Sequence, residues 1–353
     1  MPITAPPPPL SRIGLLKGFF GIFLPLCLVF AVVGFLHYYT ANEADRRTLE
    51  ASELLNVDLA RRTVVRDISS VVSDLLFLSE HIERQGLFEA DRKRREQDIA
   101  REFLVFAAKK GLYDQIRYLD SNGMEVVRIN YSGGKPEIVP QRKLQNKASR
   151  YYFREAIARQ RGDVYVSPLD LNVEGGKIEY PLKPVMRFGT PLFDARGRKV
   201  GVVLLNYFGS RLIEDFTQAA ANIADHIQLV NDQGFWLSSP NPDDEWGFMF
   251  DRNKVFASRY ADAWRQISRN DRGQFQNQRG LFTFSTIYPV AVAQASAQAD
   301  RSSSGSPPGK ERFWKIVSRV SSREMSATLP FFIQKNSTLY LAMFALLSIG
   351  AWF

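Results

Sequence analysis

No charged residue falls between Gly18 and Leu36, and about 19 residues at a helical rise of roughly 1.5 Å span about 28 Å, close to the thickness of a bilayer's hydrocarbon layer. Residues 13–39 therefore read as a transmembrane helix, and 1–12, with its run of four prolines, as an extended cytoplasmic tail. Arg12 and Lys17 precede the apolar run and Tyr38 and Tyr39 follow it, the order of a cytoplasmic N-terminus and an aromatic interface. Pro25 lies inside, where a membrane helix tolerates it. Beyond it, Val65, Ile68, Val72, Leu75, Leu78 and Ile82 recur every three or four positions among charged residues, the apolar stripe of an amphipathic helix. Ile99, Phe103, Phe106 and Ala107 mark a second helix, stopped by Lys109, Lys110 and Gly111. Residues 40–110 thus form a helical stalk and connecting helix, joined by a polar section around Gly86.

The pattern then changes period. Gln115–Leu119 and Met124–Tyr131, separated by Asp120-Ser121-Asn122-Gly123, predict a hairpin. A short helix from Tyr151 to Arg161 follows, then strands at Val164–Ser167, Val185–Phe193 and Val200–Phe208. This order predicts an antiparallel sheet with helices packed on it, an α+β architecture. The stretch Ile116–Val126 reappears in pattern as Ile227–Leu237: apolar strand, polar turn ending in glycine, second strand. A helical stretch from Lys254 to Ile267, then Gly273-Gln274-Phe275, Leu281–Val290 and Phe313–Val320, repeats the first module's order. We therefore expect tandem modules at 111–215 and 216–325, the second with Phe235, Trp236, Phe282, Phe284, Phe313 and Trp314 as its core. Residues 291–310, rich in Ala, Gln, Ser, Gly and Pro, predict a flexible loop within it. The last part, 326–353, reads as a connector and a truncated second transmembrane helix, because Leu339–Phe353 is uncharged but short of a full span.

Composition narrows the function. With 45% hydrophobic and 24% charged residues over 353 positions, the chain can bury two cores. The net charge of +9 comes from basic residues dispersed among acids, which argues against nucleic acid as a partner. The lone cysteine, Cys27, lies in the membrane run, and the three histidines His37, His81 and His226 are far apart, so neither an internal disulfide nor a His/Cys metal site is expected. No Gly-x-Ser-x-Gly elbow, paired-histidine metal motif or phosphate-binding glycine loop occurs, and neither an enzyme nor a cofactor is expected.

The stretches Leu144–Ala156, Val164–Asp170 and Lys183–Pro191, within the order of elements above, resemble the double-Cache sensors of bacterial membrane receptors, those of sensor histidine kinases most of all. The resemblance covers residues 41–335. It implies a long N-terminal helix carrying two tandem PAS-like (Cache) modules flanked by transmembrane helices, a membrane-distal module at 111–215 and a membrane-proximal one at 216–325. It also implies an extracytoplasmic region at the bacterial cell membrane that senses a small molecule, with the output part absent. A diguanylate cyclase or chemoreceptor bearing the same sensor, or a non-signalling anchored binding or hydrolytic protein, are the alternatives. Arg150, Tyr152 and Phe153 occupy the places where related modules grip a ligand carboxylate and box its body, although tyrosine stands where many have tryptophan. A guanidinium fork matches a carboxylate and aromatic rings face a cation, so the ligand class is a carboxylate, amine or amino acid. Asp170 would hold an ammonium group, or belong to a turn; Arg187, inside an apolar strand, needs either a structural ion pair or a ligand. Tyr131, Tyr165 and Lys183 are candidate pocket walls. A homodimer through the stripe from Val65 to Ile82 would let two chains transmit the signal, unless that stripe is consumed by packing.

Overall fold

The apolar and amphipathic runs at the N-terminus form one helix, α1 (Arg12–Arg84), of 73 residues. The computed structural model describes residues 12–84, 92–298, 312–326 and 328–352; the expectations for 1–11, the section around Gly86 and 299–310 lie outside these. The chain divides into two units. The first holds α1 up to Ser52, the segment Gln278–Leu281 and the chain from Val320 on. Within it, α1 is long and apolar enough to cross a membrane by length and composition. After α8 (Ser322–Ser326), α9 (Thr328–Trp352) contains the shorter apolar stretch Asn336–Gly350. His37 Nδ1 lies 2.7 Å from the Tyr340 hydroxyl, and the Phe23 and Phe344 rings meet edge to face.

The second unit, Glu53–Asn277 with Phe282–Arg319, carries most of the sheet structure. α2 (Arg92–Lys110) ends where expected: Gly111 takes φ +62° and its N–H donates to the Ala107 carbonyl at 2.9 Å. Then come β1 (Tyr113–Asp120), β2 (Glu125–Ser132), β3 (Lys135–Ile138), α3 (Tyr151–Ala158), β4 (Tyr165–Val166), β5 (Asp170–Leu171), the small hairpin β6 (Val173–Glu174) and β7 (Lys177–Ile178), β8 (Pro184–Phe193), β9 (Lys199–Phe208) and α4 (Gly209–Ala219). The first sheet orders β3-β2-β1-β9-β8-β4, with β5 also paired to β8.

The repeat follows as β10 (Ile227–Asn231), β11 (Trp236–Ser238), α5 (Phe256–Arg259), α6 (Ala261–Ile267), β12 (Arg272–Asn277), β13 (Gly280–Ile287), α7 (Pro289–Gln298) and β14 (Trp314–Ser321). Its order, β11-β10-β14-β13-β12, matches β2-β1-β9-β8-β4 strand for strand. The two first hairpins also close alike. Asp120 Oδ1 accepts the N–H groups of Asn122 and Met124, as Asn231 Oδ1 accepts those of Gln233 and Phe235. Gly123 and Gly234 take φ of +76° and +84°, which an L side chain rarely adopts. Their carbonyls each accept one N–H from the segment leading into the next helix, from Lys147 and Phe256.

One apolar cluster joins α1 and α2 to the first sheet, with Ile68, Val72, Leu75 and Ile82 against Ile116, Ile129, Phe188 and Leu205. At about 1.5–3 kcal/mol per buried aliphatic side chain, those four positions on α1 alone contribute on the order of 6–12 kcal/mol of transfer free energy, an upper bound. The stripe proposed for dimerisation is therefore consumed by packing on the sheet. Three further expectations are corrected. Residues 291–298, expected as loop, and 289–290, expected at the end of a strand, form α7, because an Ala-, Val- and Gln-rich run opened by proline is a good helix former and Ala293 and Ala297 find a core. The 254–267 stretch is two short helices broken at Tyr260. Of the six aromatics assigned to the second core, Phe235 and Phe313 are only half-buried.

Candidate ligand-binding site

Strand alternation gives the first sheet two unlike faces. Ile116 and Tyr118 of β1, Val127 and Ile129 of β2, Met186 and Phe188 of β8, and Val203 and Leu205 of β9 join the cluster that includes α1. The opposite face carries polar residues in register: Asn130 pairs with Gln115, Gln115 with Asn206, and Asn206 with Arg187, a row across four strands. One row on, Arg128 pairs with Arg117. Toward the other end of this face, Leu119, Val202 and Leu204 pack under α3 with Phe153, Ala156 and Tyr165.

The polar rows floor a cavity of about 610 Å³, walled by Gln145–Lys147, Arg150, Tyr152 and the Asn172–Gly176 arm of the β6–β7 hairpin. Gly175 and Gly176, at φ +57° and +81°, make the tight turn that brings this arm back. Arg117 is 2% exposed; it donates to Asn206 Oδ1 at 2.7 Å and to the Tyr152 hydroxyl at 3.2 Å, with Glu125 3.9 Å away. Glu125 Oε2 accepts from Arg128, at 2.9 Å, and from the backbone N–H of Gln145. The Nε groups of Arg117 and Arg128, the Oε1 of Glu125 and the Oδ1 of Asn130 are enclosed and find no hydrogen-bond partner among the described residues. Tyr152 is ringed by Arg117, Arg187 and Arg150, whose guanidinium carbons lie 5.0, 5.6 and 5.9 Å from its ring centre. Burial works against ionising its phenol, yet Arg117, Lys147 and Arg150 outweigh it and hold the pKa below the ordinary value. The cavity thus has a positive potential, set by residues that the fold holds in place.

Arg150, Tyr152 and Arg187 line this cavity. Arg187 is also tied structurally, to Asp170 at 3.0 Å and Asn172 at 3.1 Å; burial works against its charge, but Asp170 outweighs it and keeps it protonated. Asp170 faces a separate cavity of about 290 Å³ with Ser167, Asn231 and Arg312. Phe153 and Tyr165 lie in the apolar cluster under α3. Tyr131 packs edge-on against Phe208, and Lys183 pairs with Asp114 at 2.6 Å and Glu179 at 3.4 Å; neither lines the polar cavity. Sequence reading did not single out Gln115, Arg117, Arg128, Asn130, Lys147 or Asn206. A signal existed: within predicted strands, Gln115 and Arg117, and Arg128 and Asn130, stand two apart, which puts each pair on one face.

The equivalent face of the second sheet is filled by Trp236, Phe256, Phe282, Phe284 and Val317. Among the described residues no group of three or more His, Cys, Asp or Glu side chains is placed to hold a metal ion.

Comparison with known proteins agrees with this architecture. A family model described as the sensor domain of bacterial histidine kinases matches residues 57–295. Among solved structures, the extracellular domain of vpHK1S-Z8, assigned as a histidine kinase, is 22% identical with a TM-score of 0.60, over 80% of this chain and 95% of that one. A domain of a sensory box/GGDEF family protein from Vibrio parahaemolyticus is 22% identical with a TM-score of 0.57, over 77% and 99%. The sensory domain of the Campylobacter jejuni chemoreceptor Tlp3, solved with isoleucine bound, is 12% identical with a TM-score of 0.51, over 79% and 96%. No curated protein sequence matches the chain.

Proposed function

Because the chain belongs to the family of bacterial histidine kinase sensor domains, we propose that the polar cavity on its first sheet is the sensing site, which takes up a small molecule bearing a carboxylate or similar anionic group. The carrying observation is the cavity itself: about 610 Å³, lined by the guanidinium-bearing residues Arg117, Arg128, Arg150 and Arg187 and by Lys147. That the Tlp3 domain was solved with isoleucine bound supports a small-molecule reading. In this proposal α1 anchors the chain in the bacterial cell membrane, the sheets lie outside the cytoplasm, and the chain itself carries input and no catalysis. The floor of the site and the face that packs on α1 belong to the same four strands, so a ligand that draws Arg117, Asn206 and Arg187 together changes the sheet that α1 rests on. Signalling follows only if the ligand binds one packing of sheet and helix more tightly than another. Two copies would pair through the exposed Leu55 and Leu59 on α1, since the Val65–Ile82 stripe is buried.

The test is thermal stabilisation of the full chain in detergent micelles against panels of carboxylates, phosphates, amines and amino acids. At least one should raise the Tm, by mass action on the folded state, and both Arg150→Ala and Asn206→Leu should remove the response. A shift that survives both substitutions would move the site elsewhere.

A further inference from the structure

Five cationic side chains line the cavity: Arg117, Arg128, Lys147, Arg150 and Arg187. Glu125 pairs with Arg117 and Arg128, and Asp170 with Arg187, from outside the lining, and Glu174 at the solvent-exposed rim is the carboxylate in the lining. Among the described residues, Arg117, Arg128 and Arg187 make ion pairs and Lys147 and Arg150 make none. Neither Glu125 nor Asp170 lines the cavity, so neither is at hand for a ligand ammonium group. Val173 is the one aliphatic residue in the lining, which leaves no apolar subsite for a hydrocarbon side chain.

We infer that the molecule recognised here is a small dianion, a dicarboxylate or a phosphomonoester, and not an amine or an apolar amino acid. This rests on the cavity being the sensing site. One anionic end meets Arg117 and Arg128 at the sheet, and the other meets Lys147 and Arg150 at the mouth. Guanidinium groups suit both candidates, because their planar fork matches carboxylate and phosphate oxygens alike. Placing five cations around one cavity is unfavourable until an anion enters, so the ligand relieves a repulsion that the fold maintains.

The experiment is calorimetric titration of the full chain in micelles with succinate, glycerol 3-phosphate, butyrate, succinamide and isoleucine. One of the two dianions should bind, and which of them does identifies the source of the charge. Butyrate should bind at least about 10-fold more weakly, since hydrogen bonds to a charged group are each worth roughly one to two orders of magnitude in affinity. Succinamide and isoleucine should not bind. The dianion's affinity should fall as salt rises, and Arg150→Gln, on the exposed rim, should weaken it about 10-fold or more with the fold intact. Glu174→Gln is the discriminating variant: removing the rim carboxylate leaves dianion binding unchanged or tighter, whereas it would weaken an ammonium-bearing ligand. Binding of isoleucine but neither dianion, no binding of either dianion, or weakening by Glu174→Gln would overturn the inference. The first of these, if still sensitive to Arg150→Gln, would leave the sensing site in place; insensitivity of every ligand to Arg150→Gln would remove the site as well.

Discussion

Replacing Glu53 by glutamine tests how α1 is held to the second sheet. Glu53 is 1% exposed, accepts a hydrogen bond from Ser318 of β14, and lies 3.1 Å from His226 Nε2. His226 precedes β10, and its carbonyl accepts the N–H of Arg319. Hydrogen bonds to a charged group contribute roughly 1.5–3 kcal/mol each, and glutamine keeps the shape while losing the charge, so we expect a cost of about 2 kcal/mol at pH 6. For a folded region of this size that is a fall in Tm of about 4–8 °C. The pH dependence has a definite sign. Burial works against the imidazolium, but the hydrogen bond and charge of Glu53, with help from Asp225, outweigh it and raise the pKa of His226 above 6.5. A raised histidine contributes stability that is full below its unfolded value and is lost as pH rises through the folded one. The gap between wild type and Glu53→Gln should therefore be widest near pH 5.5–6 and narrow by pH 8.5, keeping the part owed to Ser318. Scanning calorimetry of the full chain in micelles across that range measures it, with His226→Gln as the second arm. A gap that stays constant, or widens with pH, would refute the assignment of the charge pair.

Two further outcomes are expected. Burial, reinforced by Asp215 and opposed by Arg66, pushes the Asp67 carboxyl up to about 6, so the group costs stability as pH rises from its ordinary 3.8 toward that value and the cost is full above it; Asp67→Asn should raise the Tm at pH 7.5 and not at pH 4, and a lower Tm at pH 7.5 would contradict this. In a Cys27→Ser background, Leu55→Cys, at a position 69% exposed, should cross-link two chains in membranes while Val72→Cys, fully buried, should not; a chain that stays monomeric with and without ligand would remove the homodimer from the proposal.

Much of the fold was legible because the signals are local. The Val65–Ile82 stripe, the glycine turns at Gly123 and Gly234 and the stop at Gly111 each depend on a few neighbouring residues, and each forms the element its pattern predicts. α7 was not legible, since a small-residue run next to a Ser- and Pro-rich stretch has the composition of a linker until Ala293 and Ala297 find a core. The site was legible in part. Arg150 and Tyr152 stand in a recognisable stretch and do line the cavity, whereas Phe153, one residue on, turns under α3 with the apolar cluster.

What one strand's pattern determines is that Gln115 and Arg117 share a face, and Arg128 and Asn130 likewise. Which face that is, and that Asn206 and Arg187 continue the row from residues more than 50 positions away, depends on how four strands pair. Pairing is decided by the apolar face committing to α1, because a slip of one residue would turn every buried side chain outward. The long apolar helix, its amphipathic continuation and the repeated hairpin are thus properties of the chain read locally. The positive cavity exists only once the register has been chosen.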